Sequence, residues 1–586
     1  MKYPFLFLFI FLVSGILFSD AFSISTPIYI PLVLFLTALL FNNYLRIVLF
    51  GLSVFVLGVF INQKESLTDQ IKNPVFIQCK VITFPKIYNS YEKFKCKVEN
   101  SDNKNLIKKT VLVYNYEKND EIQFFSDIYF IGKFRNTNVI PVEHFLKTDN
   151  SNNIFHPIFK LKSFLMSSYK ENSLSSEAFS LGSALIFGEK GYISNSLREK
   201  FSRTGLSHLL AISGLHVGIL VSSIFLFLFF LKDRIKHFIV LILLPFYTIF
   251  TGLQIPVLRA SLMGELYFFS KIKYLKVNSL NILFFVAFIV LLFSPESIKH
   301  ISFLLSFTAT LGILLGLDFI NVSIHFKNEY LSKVISIVIQ IILLSFVATL
   351  FTVPIILYFF GSFSPITILA TPIGILLLYP YIFLSVLNLL TLMHIPVLVK
   401  GMDLLGLIFI NFVEFVNSFG LYFKGFNPSI ISIFIFILMV SSLLLLKINF
   451  FKKLTLLILS LLIFLLISKT DSDKYKIYAF RSKTYPSVLI ITPERESFLF
   501  SDYPSYKFKS VLNKENPTFN TLLTSNPKAY IFSSQLNIEF DRIYKFKNFF
   551  KNDIFLLKRK NDQILIFIKN HKIKIKNENR YIEFDG

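Results

Sequence analysis

Apolar runs long enough to cross a hydrocarbon core recur along the whole chain, and no other feature restricts its folding as strongly. Inside a bilayer each backbone N–H and C=O must be paired within the protein, so such runs fold as helices. Three of them, 5–18, 28–41 and 45–61, open the sequence. Ten more follow at 207–231, 238–251, 256–270, 280–293, 301–317, 334–360, 366–392, 401–421, 429–446 and 454–468. The 586 residues are 54% hydrophobic and only 16% charged, too little charge for a soluble protein of this size. The expectation is a polytopic α-helical membrane protein of about thirteen transmembrane helices.

The first run follows Lys2 and has the length of a signal peptide. Two further spans follow closely and no Ala-x-Ala site is visible, so a retained membrane helix is expected. Basic residues orient the set. Arg46 lies between runs two and three and Asp20 between one and two, which places the amino terminus in the cytoplasm and the chain outside after Ile61. Lys232, Arg234 and Lys236, then Lys271, Lys273 and Lys276, then Lys447, Lys452 and Lys453 all fall on cytoplasmic turns of this scheme. The carboxyl-terminal segment is left outside. Thr352-Val-Pro354, Gly361-Ser-Phe-Ser-Pro365 and Thr371-Pro372 read as kinks or re-entrant breaks.

Between 62 and 150 the pattern changes from helix-length runs to period-two alternation. Val75-Phe-Ile-Gln-Cys-Lys-Val81, Phe94-Lys-Cys-Lys-Val98, Val111-Leu-Val-Tyr114 and Asp127-Ile-Tyr-Phe-Ile-Gly132 read as strands. This many strands in so short a stretch suits a small barrel or sandwich, an inserted extracytoplasmic OB-like domain. Cys79 and Cys96, the only cysteines, fall on facing strands of a hairpin turning near 85–89, directly opposite one another, with Val81 opposite Phe94. An oxidising compartment permits a disulfide there, and two half-buried thiols are the alternative.

Residues 151–206 read as mixed and helical. Leu197-Arg-Glu-Lys-Phe201 is amphipathic, suited to a membrane surface or to packing on the next span, and Gly188-Glu-Lys-Gly191 interrupts the helix. From 469 to 586 the chain is again β-rich, with Val488-Leu-Ile-Ile-Thr492 and Ile564-Leu-Ile-Phe-Ile568 as buried strands. Lys572-Ile-Lys-Ile-Lys576 implies one wet and one buried face.

One apolar stretch departs from what crossing a bilayer requires. Thr204-Gly-Leu-Ser-His-Leu-Leu-Ala-Ile-Ser-Gly-Leu-His-Val-Gly-Ile-Leu220 places histidines, serines and glycines among residues that suit lipid. Polar groups at membrane depth face a protein interior or an aqueous path. On a continuous helix His208 and His216 stand two turns apart, about 12 Å of rise, too far to hold one metal ion, and no acid lies nearby. Ser213 and His216, three apart, share a face. That pair hints at nucleophile and base, but an oxyanion site and an orienting group are missing, so packing with a polar lining is the better reading. Gly214 and Gly218 form a small-xxx-small pair for close helix contact.

Arg259 lies just inside a span, where it either snorkels to an interface or meets an intramembrane partner or a phosphate, with Glu265 as a candidate counter-charge. Asp403 and Glu414 are isolated acids with weaker claims. The net charge of +24 invites a polyanion partner, although Lys, Asn, Ile, Phe and Tyr are all abundant, as in a chain from an AT-rich genome whose lysines are solvated surface.

Taken together these residues resemble the ComEC family, inner-membrane proteins through which competent bacteria import transforming DNA as a single strand. Gly188-Glu-Lys190 followed by Phe201-Ser-Arg-Thr-Gly-Leu-Ser-His-Leu-Leu-Ala-Ile-Ser-Gly-Leu-His-Val217 is very similar to that family's competence-domain motif. Thr251-Gly252 with Pro256-Val-Leu-Arg-Ala260, Leu305-Ser-Phe-Thr-Ala-Thr-Leu-Gly312 and Pro354 in a kinked span are supporting matches. The resemblance covers about 1–468 and implies five segments: N-terminal helices 1–61, the OB-like domain 62–150, an interfacial segment 151–206, a competence-type membrane domain 207–468 and a β-rich end 469–586. It implies a multi-pass inner-membrane channel for single-stranded DNA, a wet path lined by His208, Ser213, His216 and Arg259, and no cofactor. A DNA receptor and a cytoplasmic helicase or ATPase would be partners, and a homo-oligomer stays open.

Many family members end in a metallo-β-lactamase-like domain, which needs a His-x-His-x-Asp-His cluster. After His394 this sequence has one histidine, His571, so a nuclease is not expected and neither is a catalytic residue. No Gly-x-x-x-x-Gly-Lys-Ser/Thr loop occurs, so the energy for transport would come from elsewhere. The alternatives are a transporter of a non-DNA substrate on the same scaffold and a non-catalytic membrane assembly component.

Overall fold

The computed structural model describes residues 3–22, 29–40, 44–62, 75–83, 85–87, 92–103, 106–107, 109–116, 122–132, 139–151, 153–210, 212–322 and 328–468, and beyond them the backbone of the strands between 476 and 584. The chain forms two compact units. One comprises Met1–Ser194, Leu206–Leu314 and Leu369–Phe415, the other Asn195–Gly205, Leu315–Ile368 and Val416–Gly586.

The first unit opens with α1 (Pro4–Phe22), α2 (Tyr29–Leu40) and α3 (Tyr44–Ile61). Two glycines bring α1 and α3 together: a Cβ built on Gly58 would stand 2.5 Å from Leu12 O and 3.2 Å from the Cα of Gly15. With no hydrophobic force between helices in lipid, such close backbone contact is how they associate.

A barrel follows, made of β1 (Val75–Val81), β2 (Lys86–Ile87), β3 (Glu92–Ser101), β4 (Thr110–Asn115), β5 (Asp127–Gly132) and β6 (Val139–Asp149). Around it the order is β1-β5-β6-β4-β3, and β3 returns to β1 to close it, with β2 as a short extension. Within the closed ring only β4 and β6 run parallel. Inward residues alternate as the sequence predicts, and Ile77, Cys79, Val81, Phe94, Cys96, Val111, Ile128 and Phe130 share one core. Cys79 and Cys96 are joined as a disulfide. Their register is not the expected one. Cys79 faces Val98 and Val81 faces Cys96, with a bulge between Gln78 and Cys79, so the bridge joins diagonal neighbours with Cα atoms 5.7 Å apart. The cause is β2, whose pairing of Ile87 with Glu92 moves the turn beyond residue 87.

Next come α4 (His156–Asn172), α5 (Ser176–Ile186), a 3₁₀ turn at Lys190–Tyr192 in the interruption expected there, and α6 (Asn195–Arg203), which belongs to the second unit and buries Leu197 and Phe201. The first unit resumes with α7 (Gly214–Phe227), α8 (Asp233–Phe250), α9 (Ile255–Ile272), α10 (Ser279–Phe293) and α11 (Ile301–Leu315). Leu12, Ile16 and Val54 of α1 and α3 share a core with Leu283, Val286, Phe303 and Phe307 of α10 and α11. Ion pairs join Lys95 of the barrel to Glu296 at 2.6 Å, and Lys299 to Asp20 at 2.5 Å.

After the short α12 (Leu317–Ile320), the second unit contains α13 (Glu329–Phe360), β7 (Ser362–Phe363), β8 (Phe423–Lys424), α16 (Ile430–Leu445) and α17 (Phe450–Ser468). Between them α14 (Thr367–Leu390) and α15 (Pro396–Ser418) run mostly in the first unit. Of the three expected breaks, Gly361–Pro365 is one: Gly361, with φ +65°, terminates α13, and β7 pairs with β8. At the other two the chain does not break, which corrects the re-entrant reading but not the kink: Pro354 sits inside α13, and Pro372 inside α14. Membrane helices tolerate proline because neighbouring groups take up the freed backbone.

In the tail, strands β9 (Lys476–Phe480), β10 (Ser487–Ile491), β11 (Glu496–Phe500), β12 (Phe519–Thr524) and β13 (Arg542–Lys545) form one sheet. A meander of β14 (Asp553–Lys558), β15 (Gln563–Lys569), β16 (Lys572–Asn577) and β17 (Arg580–Phe584) forms another. The two strands expected there are β10 and β15; the wet and buried faces expected of 572–576 concern side chains outside the described residues.

Among the described residues five helices are long and apolar enough to cross a membrane: α1, α13, α14, α15 and α17. The shorter apolar helices are α3, α7, α10, α11 and α16. Helices α8 and α9 reach 18 residues but carry Asp233, Arg234 and Lys236, and Arg259, Glu265 and Lys271.

Candidate functional site

The polar motif is not one continuous helix. Residues 206–210 run through turns, Ile212 and Ser213 are not helical, and α7 starts only at Gly214. The expected span from 207 is corrected accordingly, and with it the two-turn spacing of His208 and His216. Ser213, with φ −130° and ψ 177°, is the N-cap. A helix leaves its first N–H groups unpaired, and residues with polar side chains are favoured there. His216, at the third helical position, turns its ring back: Ser213 N–H donates to its Nδ1 at 3.2 Å, and Ser213 Oγ lies 3.1 Å from the same nitrogen. This is a capping-box arrangement with histidine in place of the usual Glu or Gln.

Because Nδ1 accepts a backbone N–H, the neutral imidazole carries its proton on Nε2, an assignment inferred from this bond. His216 is 1% exposed, and Nε2 has no hydrogen-bond partner among the described residues. No carboxylate orients the ring there, so the pair lacks the third member of a nucleophile–base relay. Its arrangement is that of a cap holding a buried donor.

Arg259 is the second unusual group. It is 8% exposed, and its Nη1 donates to Thr310 Oγ1 on α11. Met263 Sδ is 3.9 Å from Nη1, and the guanidinium lies 5.9 Å from the Phe307 ring centre. None of these partners is anionic, and Nε has no partner among the described residues. Glu265, the expected counter-charge, instead lines a cavity of about 360 Å³ with Leu241, Leu262, Phe285 and Ile289. Thr310 belongs to the Leu305–Gly312 stretch already noticed in the sequence, but nothing there marked it as an arginine partner.

The two glycines of α7 differ. A Cβ on Gly214 would stand 2.9 Å from Arg259 Nη2, whereas one on Gly218 meets nothing within 4 Å. The motif therefore makes its close approach at its first turn only. His208 lies on the turn before α7 and is exposed, within electrostatic range of His216 together with Lys190. The loop bearing Lys190 is fastened from two sides: Gln254 Nε2 donates to Gly188 O at 3.1 Å, and Lys162 pairs with Glu189 at 2.6 Å. Thus the Gly188–Lys190 and Thr251–Gln254 loops, distant in sequence, meet beside the α7 cap. Pro354 lies in the other unit, buried within α13.

A second buried polar network was seen only as the isolated Asp403. That residue is 0% exposed on α15 and accepts from Tyr169 Oη at 2.7 Å and from Leu174 N at 2.7 Å. It fixes α4 and the turn after it against the membrane helices. Among the described residues no group of three or more His, Cys, Asp or Glu side chains is placed to hold a metal ion.

Comparison with known proteins identifies the region that holds these residues. The family described as Competence protein matches residues 185–450. A protein of Aquifex aeolicus (strain VF5), described as "Uncharacterized protein", is 33% identical over 275 residues, 46% of this chain and 60% of that one. ComE operon protein 3 of Bacillus subtilis (strain 168) is 30% identical over 233 residues, 39% of this chain and 28% of that one. The chain thus aligns with less than two thirds of either relative's length. No solved structure matches it. Residues 185–450, which match the Competence protein family, contain the α7 cap, Arg259 and Thr310, and it is this region that is similar to ComE operon protein 3.

Proposed function

We propose that the chain is a multi-pass inner-membrane channel that passes single-stranded DNA into the cytoplasm during competence. The observation that carries this reading is the pair of buried donors, His216 Nε2 and Arg259 Nε, which have no partner among the described residues, inside a competence domain of largely apolar helices. Apolar helices alone reject a polyanion, so a path for DNA requires cationic and hydrogen-bonding groups that offset its lost hydration. His208, Ser213, His216 and Arg259 supply such groups.

The remaining architecture follows the same reading: about thirteen spans, with the shorter apolar helices and α8 and α9 crossing as well. The five-segment division at 61, 150, 206 and 468 goes with it. The barrel is read as OB-like and extracytoplasmic, and three observations support this. The ring order and its one parallel pair match a five-stranded Greek-key barrel. The disulfide fits an oxidising compartment. The ion pairs Lys95–Glu296 and Lys299–Asp20 join the barrel and the end of α1 to the α10–α11 turn, which the basic-residue scheme also places outside. A DNA receptor on the outer side and a cytoplasmic helicase or ATPase would complete the pathway.

The test is uptake of labelled DNA in a strain whose only copy is His216→Ala or Arg259→Gln. Both variants are expected to insert in the membrane and to abolish uptake. Wild-type uptake by both would sink the assignment of this path.

A further inference from the structure

The amino-terminal end of α7 meets a buried cation that has no anionic partner among the described residues. Arg259 Nη2 lies so close to Gly214, the first residue of α7, that a Cβ there would stand 2.9 Å from it. Arg259 is 8% exposed, its guanidinium meets Thr310, Met263 and Phe307, and its Nε is unpartnered among the described residues. On the first turn of the same helix His216 is almost wholly buried, and its Nε2 has no partner among the described residues. The helix itself contributes the positive end of its dipole and its first N–H groups.

A buried guanidinium facing the positive end of a helix is unfavourable unless an anion sits between them. The same elements are what an oxyanion needs: N–H groups at a helix start, a forked cation and a further N–H donor. Gly214 is the residue type that lets the guanidinium approach the helix start this closely. We propose that the α7 amino terminus, Arg259 and His216 form a site for one phosphodiester anion. The choice of a phosphodiester over other anions rests on the DNA-channel reading; the site itself rests on the geometry. Two sources carry that chemistry, the backbone of a DNA strand and the headgroup of an anionic lipid.

The full-length protein in phosphatidylcholine nanodiscs tests this with a fluorescent oligothymidylate titrated across salt concentrations. Arg259→Gln should lower the slope of log affinity against log salt by about 0.7, the share of one phosphate contact on a single strand. Arg259→Lys should keep the slope, and Gly214→Ala should weaken binding although it alters no charge. A methylphosphonate oligomer of equal length should not distinguish wild type from Arg259→Gln. In parallel, native mass spectrometry counts phosphatidylglycerol retained from the cell membrane. If wild type does not bind the oligomer but loses retained phosphatidylglycerol on Arg259→Gln, the anion site stands as a lipid site and the DNA reading of it falls. If Arg259→Gln inserts with a wild-type melting temperature and changes neither salt slope nor lipid retention, the site is overturned even where DNA uptake persists. Should Arg259→Gln not insert, Gly214→Ala decides: wild-type binding of both probes by that variant overturns the proposal.

Discussion

The barrel and the first turn of α7 are both buried, but they treat their interiors in opposite ways. The inward faces of β1 and β3 present Ile77, Val81, Phe94 and Val98, and the one reactive pair among them is closed as the Cys79–Cys96 bridge. Around the α7 cap the buried groups include His216 and Arg259, each with a donor that no described residue accepts. Removing a polar group from water without a partner costs free energy, so folding alone does not select such a site. The barrel interior is closed on itself, whereas the cap, on the proposed reading, awaits an anion.

Substitutions in the two regions should therefore move different quantities. The largest expected effect is Phe130→Ala in the barrel core, where a fully buried ring leaves a cavity. It should destabilise the barrel by about 3–5 kcal/mol. Hydrogen exchange on the whole protein checks it: barrel amides lose protection while those of α7 and α9 keep theirs. Cys79→Ser comes next. The bridge closes a loop with a sequence separation of 17, and its loss should destabilise the barrel by about 3 kcal/mol in the chain-entropy account. A mass shift on reduction and alkylation, with the same regional loss of protection, would check both the bond and its role. Wild-type protection in the reduced protein would remove the covalent half of the contrast.

A smaller effect is expected where a buried polar group is fully partnered. Tyr169→Phe removes one of the two donors to Asp403 and leaves Leu174 N–H alone on that carboxylate. The expected loss is about 1–3 kcal/mol, read as a lower melting temperature and faster exchange in α4. An unchanged melting temperature would mean that this network does not hold α4.

The same contrast explains what the sequence disclosed. Strands β1, β3, β4 and β5 were legible because a two-sided barrel wall imposes period-two alternation. Strand β6 was not: Pro141 interrupts its pattern, and the chain passes there from pairing with β4 to pairing with β5. In the membrane domain, hydropathy located the helices but not their ends. Residues 207–210, 212 and 213 lie in a stretch read as part of a span, yet none of them is helical; Gly205, with φ +74°, and the Ser213 cap decide the start of α7. A serine followed three residues later by a side chain that can reach back was a readable signal, hidden because histidine fills the place of Glu or Gln. Pro354 left a kink and a break equally open in the sequence, and the structure keeps it inside α13. Family likeness marked the right region, whereas Thr310, Gln254 and Tyr169 became visible only through contacts made across the fold.

The smallest expected effect on stability is the sharpest test of the comparison. Arg259→Met replaces the guanidinium with an apolar chain beside Phe307 and Met263. Thr310 keeps its own bond, since its hydroxyl also donates to Ser306 O at 2.9 Å. What is lost is a buried cation without a counter-charge, and replacing buried charge by packed apolar groups is often neutral or stabilising, by up to about 4 kcal/mol. The melting temperature of Arg259→Met should therefore equal or exceed that of wild type while DNA uptake fails. A protein that unfolds on losing Arg259 would show that the arginine serves the fold, and the distinction between the barrel and the α7 cap would collapse.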